Sequence, residues 1–262
     1  MRNVFITTIA ALAFAGAAQA EEATPVLSGE VALDFAETTA GDVAGTMSID
    51  LGIDAAGLAT VDLDFAIDEA GNGTLDDWTV GTTVGAAELA FGTDNGVMPE
   101  AFDEDHATLA APAMTESLAV SMGSAAVAVG FTDWNTDITD ISNVQGAYTV
   151  NMGAIDITAA ADYNLDTENT VLGAGIGGLG LGGIASLGGA MTYDVDAEVF
   201  GFEAVTSAYS VTAYVNGDSN DALQNIGGEY TMVVGGATFT AGANYNIDTE
   251  DFAPTAGIAF NF

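Results

Sequence analysis

Nearly all the side-chain chemistry available to this chain is carboxylate chemistry. Its 262 residues include 38 Asp and Glu, a single basic side chain (Arg2), one histidine (His106) and no cysteine. Carboxylates offer hard oxygen ligands to cations, serve as paired acids and bases, and repel anions when many share one surface. They cannot neutralise phosphates, so nucleic acid is excluded as a partner. Cys and Lys nucleophiles are excluded past Arg2, and a Ser-His-Asp arrangement would have only His106, with no nucleophile pattern beside it. A hydrolase built on two carboxylates remains chemically open. The acids, however, recur along the whole chain instead of converging, which points to a lining rather than a catalytic site. The expectation is a protein that is not an enzyme and needs no cofactor.

Two kinds of position hold these acids. Glu30, Asp34, Asp50, Asp62, Asp64, Glu88 and Asp156 alternate with apolar residues such as Leu33, Phe35, Ile49, Leu51, Val61, Leu63, Phe65, Leu89 and Phe91. Glu100, Asp103, Glu104 and Asp105 instead cluster in the longest polar link, 93–115. Two acidic groups, Asp103 to Asp105 and Asp133, Asp137 and Asp140, have the oxygen ligands calcium prefers, although neither spacing matches an EF-hand loop.

The elements that carry the first set have a period of two. Residues 27–35, 46–53 and 60–67 alternate strictly between apolar and polar at strand length. A helix would put Asp62 and Phe65 on one face, which destroys its amphipathicity. Similar segments follow at 74–84, 86–92, 116–123, 125–133, 142–152, 155–163, 170–178, 182–193, 197–205, 207–216, 224–234, 237–247 and 254–262. About sixteen strands result, or fourteen if the Gly-rich run 173–189 holds one strand instead of two. The links alternate between tight turns (55–57, 85, 124, 153–154) and longer acidic loops. That alternation describes an all-β, antiparallel up-and-down barrel. A β-sandwich also alternates, but its long connections cross between sheets and do not fall on every second link.

Residues 1–20 read as an export signal: Arg2 near the start, an apolar run from Val4 to Ala17, and Ala18-Gln19-Ala20 as a small-x-small cleavage site. Residues 21–262 then form one domain, with no segment long and apolar enough for a membrane-spanning helix. A formal charge of −37 beside 49% hydrophobic residues excludes an acidic disordered chain. A sixteen-stranded barrel is too wide for side chains to fill, so its lumen holds water. Polar residues then line the lumen, apolar ones face lipid, and closure satisfies the backbone hydrogen bonds that a bilayer leaves unmet. Trp78, Trp134, Tyr148, Tyr163, Tyr193, Tyr209, Tyr230 and Tyr245 are candidates for aromatic girdles at the two interfaces.

The chain ends Ala256-Gly257-Ile258-Ala259-Phe260-Asn261-Phe262, with apolar residues at alternate positions back from a terminal aromatic. Straight after the export signal region comes Leu27-Ser28-Gly29-Glu30-Val31, and the longest link follows the fifth strand. In these features the chain resembles bacterial outer-membrane porins, in particular the general diffusion porins of alphaproteobacteria. The resemblance implies that Ile258, Phe260 and Phe262 belong to the signal read by the barrel-assembly machinery. It implies that the 93–115 link folds into the channel, with Glu100, Asp103, Glu104 and Asp105 on the acidic side of a constriction. It also implies a homotrimer in the outer membrane. One departure stands out: porins oppose that acidic loop with Arg and Lys on the barrel wall, and no residue after Arg2 is either. A lumen of one sign concentrates cations and excludes anions. The expected function is passive diffusion of small hydrophilic solutes with a bias to cations. The alternative is an exported acidic all-β surface or adhesive protein that binds calcium.

Overall fold

The computed structural model describes residues 25–37, 43–55, 59–67, 72–93, 95–99, 114, 116–132, 140–181, 185–219 and 223–262. These residues form sixteen strands. They are β1 (Val26–Glu37), β2 (Val43–Asp54), β3 (Thr60–Ile67), β4 (Gly73–Val84), β5 (Ala87–Gly92), β6 (Ser117–Met122), β7 (Ala125–Phe131) and β8 (Ile141–Asn151). The second half comprises β9 (Asp156–Asn164), β10 (Thr170–Leu181), β11 (Ala185–Asp194), β12 (Val199–Ala208), β13 (Val211–Asp218), β14 (Asn225–Val234), β15 (Ala237–Asn246) and β16 (Asp251–Asn261). Each strand pairs antiparallel with its sequence neighbours, and β16 returns to pair with β1, so the sheet is a closed barrel. The Gly-rich run divides into β10 and β11, which settles the strand number at sixteen. A bulge between Ile176 and Leu179 interrupts their register, with Gly178 at φ 70°. That φ suits a residue without Cβ.

Turn chemistry differs at the two ends. Four of the tight turns use glycine at positive φ, at Gly85, Gly123, Gly153 and Gly235–Gly236, and the turn between β12 and β13 has Tyr209 there instead. At the opposite end, one loop recurs three times. Asn164, Asp194 and Asn246 each accept two backbone N–H groups, from the residues two and three positions on, at 2.8–3.1 Å. In each loop a glutamate then takes φ near 57–59°: Glu168, Glu198 and Glu250. The shared pattern is Asn/Asp, an aliphatic residue, Asp, Thr/Ala and Glu, with the first side chain acting as the turn acceptor.

The register separates two faces. On β8 and β9, Asn143 pairs with Asn164, Gln145 with Asp162, and Thr149 with Thr158 on one face; Val144 with Tyr163 and Val150 with Ile157 lie on the other. The polar face is the covered one: Gln145 and Asp162 are 1% exposed, whereas Tyr148 is 57% and Tyr163 46% exposed. The usual burial pattern of a water-soluble fold is inverted here. Exposed aromatics fall near both strand ends, with Tyr163, Tyr193, Tyr245 and Phe252 at the loop end and Tyr148, Tyr209, Phe260 and Phe262 at the turn end. Trp78 departs from the girdle expectation. It is buried, edge-on to Phe91, a diagonal neighbour on the same face of β4 and β5, with ring centroids 5.2 Å apart. Trp134 lies outside the described residues.

Adjacent residues on β1 test the two faces. Leu33→Arg puts a charge on the outer face near mid-strand and is expected to lower the folding free energy in lipid by about 2–4 kcal/mol. Ala32→Arg, on the inner face one residue away, leaves it nearly unchanged. Urea titration of the protein refolded into vesicles reads both values.

Candidate functional site inside the barrel

The acids on β1 to β4 form a row. Glu30 stands opposite Asp50, Asp50 opposite Asp64, and Asp64 opposite Asp77. Side chains paired in this way on neighbouring strands lie about 4.5–5.5 Å apart at Cβ, and like charges so placed repel. One carboxylate oxygen of Asp64 is buried with no hydrogen-bond partner. Asp62 lies next to the row, opposite Gly52 and Thr79. Asp34 is opposite Thr46 and Gly257, and a Cβ at Gly257 would strike the Asp34 carboxylate. Glu88 accepts from the Ser121 hydroxyl at 3.3 Å, and Asp156 accepts from the Asn151 amide at 2.7 Å. The register places Glu30, Asp34, Asp50, Asp62, Asp64, Glu88 and Asp156 all on the inner face. Asp77 joins them unforeseen. It sits in the Asp76-Asp77 pair, where alternation loses its phase, and only the bulge between the Asp64 and Phe65 pairings brings it into the row.

The opposite wall carries amides and a docked piece of chain. Beyond β5, residues Asn95 to Pro99 run along the inside of the barrel. The Asn95 N–H donates to Ser117 Oγ on β6 at 3.0 Å, and the Val97 N–H donates to Gln145 Oε1 on β8 at 2.8 Å. Met98 and Pro99 lie against Gly173 and Gly175 of β10. In a ring of sixteen strands, β10 is eight removed from β2, so this segment faces the carboxylate row across the interior. A cavity of about 390 Å³ lies beside it, lined by Asp54, Thr79, Glu88, Val97 and Ser121 among others. Asn143, Gln145, Asp162, Glu203 and Asn216 are inward and buried. Extending the parity of Val144, Tyr148 and Val150 along β8 would have identified the first two.

The predicted constriction acids Glu100, Asp103, Glu104 and Asp105 lie outside the described residues, as do His106, Asp133 and Asp137. Both calcium candidates therefore fall wholly or mostly outside them. Among the described residues no three His, Cys, Asp or Glu side chains are grouped to hold a metal ion. Ile258, Phe260 and Phe262 point outward at the seam. Ile258 pairs with Leu33 and Phe260 with Val31, and the Phe262 backbone exchanges two hydrogen bonds with Gly29 at 2.9 and 3.2 Å.

Solved structures share this architecture. Two engineered variants of the porin of Rhodopseudomonas blastica superpose with TM-scores of 0.62 at 13% identity, over 91% of this chain and 100% of theirs. A triple mutant of the same porin superposes at 0.61 with 14% identity and the same coverage. At this identity the likeness is one of fold: a closed sixteen-stranded antiparallel barrel of the porin type. No protein-family model matches the chain, and no curated protein matches it in sequence.

The carboxylate row makes stability depend on salt. Asp50→Asn removes the acid flanked by Glu30 and Asp64, and is expected to stabilise the barrel at low ionic strength by up to about 1 kcal/mol. The gain should vanish near 1 M salt, where the screening length is about 3 Å. Denaturant midpoints at the two salt concentrations provide the check.

Proposed function

We propose that the mature protein is an outer-membrane porin: a water-filled channel for passive diffusion of ions and small hydrophilic solutes, biased to cations. The observation that carries this reading is the combination of a closed barrel, an apolar outer face, and an inner wall with carboxylates aligned across four strands and no Lys or Arg after Arg2. Fixed charge of one sign on a low-dielectric wall raises the local cation concentration and lowers that of anions. Glu30, Asp34, Asp50, Asp62, Asp64, Glu88 and Asp156 line the path in this reading, and Glu100, Asp103, Glu104 and Asp105 add acid where the long link enters it. The porin fold of the structural relatives supports the same assignment.

The rest of the proposal follows from that placement. Residues 1–20 direct export and are removed. Ile258, Phe260 and Phe262 present the terminal strand to the barrel-assembly machinery, and the barrel sits in the outer-membrane bilayer as a homotrimer. A transverse field between acidic and basic walls has no basic half here, so solutes are sorted by the sign of their charge and by size, without being oriented by paired opposite charges.

Refolded protein in planar bilayers under a KCl gradient tests this. The expected result is discrete current steps with a cation-selective reversal potential. Selectivity should weaken as salt rises, and as pH falls towards the carboxylate range near about 4. Asp50→Asn with Asp64→Asn should reduce the selectivity without abolishing conduction. Absence of steps from protein that stays soluble without detergent would point instead to a surface or adhesive protein.

A further inference from the structure

We propose that Gln145 and Asp162 are positioning residues that fix the segment from Asn95 to Pro99 against the inner wall, and thereby set the free cross-section facing the carboxylate row. This rests on the pore reading above. The bond between the Val97 amide and Gln145 Oε1 joins residues 48 apart in sequence, and both the glutamine and Asp162 are almost completely covered. Gln145 and Asp162 face each other in register across β8 and β9.

A primary amide has a donor end and an acceptor end, whereas an ionised carboxylate only accepts. With the Asp162 carboxylate as its cross-strand partner, the glutamine amide is favoured with its NH2 end towards that carboxylate and its oxygen towards the Val97 N–H, which donates to it at 2.8 Å. Asn143 donates to Asp162 Oδ1 at 2.9 Å and holds the carboxylate in place, while Asp162 Oδ2 is buried without a hydrogen-bond partner. The carboxylate thus fixes which way the glutamine amide points, and the glutamine fixes the segment.

Shape reinforces this polarity. A Cβ at Gly173 would lie 2.8 Å from Met98 Cε, and one at Gly175 would lie 2.6 Å from Pro99 Cβ. A side chain at either place would have to displace Met98 or Pro99, so the two glycines let the segment lie close against the wall. The Ser117 hydroxyl holds the other end of the segment through Asn95. Five residues are thus tied to three alternate strands of one wall, and their displacement would change the opening between that wall and the carboxylate row.

The natural chain lacks cysteine, which permits a reversible tether. Pro99→Cys with Gly175→Cys places two Cβ atoms closer than the about 3.8 Å of a disulfide, so a small outward shift accommodates the bond. Single-channel records are taken from the wild type, from Gln145→Leu, from Asp162→Leu, and from the cysteine pair with and without Gln145→Leu, oxidised and then reduced. Gln145→Leu and Asp162→Leu are expected to give larger, noisier steps than the wild type. With Gln145 intact, reduction of the pair should change little. With Gln145→Leu, the oxidised form should keep quiet, smaller steps, and reduction should release the large, noisy ones. The two redox states are the same folded molecule, so a folding defect cannot imitate that difference. Wild-type steps from Gln145→Leu and Asp162→Leu, or a reduction effect independent of Gln145, would overturn the proposal while leaving the pore intact. A cysteine pair that does not oxidise in the folded barrel would overturn the placement of the segment. A wild type that does not conduct would overturn the pore reading and this inference with it.

Discussion

Closure of the sheet is the constraint on which the other features depend. β16 must find β1, more than 200 residues earlier in the chain, before the backbone groups of both edge strands are satisfied. Inside a hydrocarbon layer an open edge leaves a row of unpaired N–H and C=O groups, each costing several kcal/mol, so only the closed ring is admissible. The seam is therefore pinned with care. Gly29 and Phe262 exchange backbone hydrogen bonds, and the Phe262 ring lies where a Cβ at Gly29 would stand. A slip of one residue at this seam would turn Leu33 inward and Asp34 outward.

Closure permits the inverted arrangement of polar and apolar residues. Once the backbone is paired within the sheet, each strand's outer face is free to be apolar and its inner face polar. The ring order then distributes the inner residues unequally. Glu30, Asp50, Asp64 and Asp77 gather on one wall, while Asn143, Gln145 and Asp162 gather on the opposite wall beneath a docked segment. In the proposed pore, charge on one wall would supply selectivity and amide-anchored chain on the other would supply size restriction, without a basic partner for the acids.

The alternation of Asp62, Asp64 and their neighbours with Val61, Leu63 and Phe65 was enough to find the strands and to gather the acids on one face of them, while the Gly-rich run left the number open between fourteen and sixteen. The period is two, each segment is of strand length, and tight turns, most of them with glycine, fall on alternate links. The pairings that build the site were less accessible. Asp77 enters the row through a bulge, which breaks the alternation on which the phase was read. Gln145 looks like an ordinary inward polar residue until Val97 is seen to reach it from the β5 end. Trp78 resembles a girdle aromatic in sequence, but it is buried and packs edge-on against Phe91 across β4 and β5. These features arise from long-range register and from chain that leaves the sheet, neither of which a local period encodes.

Cysteine accessibility distinguishes a barrel whose apolar residues face lipid and whose acidic face meets water from one with the opposite arrangement. Single substitutions Ser48→Cys, Ile49→Cys, Asp50→Cys and Leu51→Cys are introduced into the cysteine-free chain, reconstituted in vesicles, and exposed to a charged, membrane-impermeant thiol reagent. Labelling is expected at 48 and 50, with protection at 49 and 51. Labelling at 49 and 51 with protection at 48 and 50, as in a water-soluble barrel, would contradict that expectation.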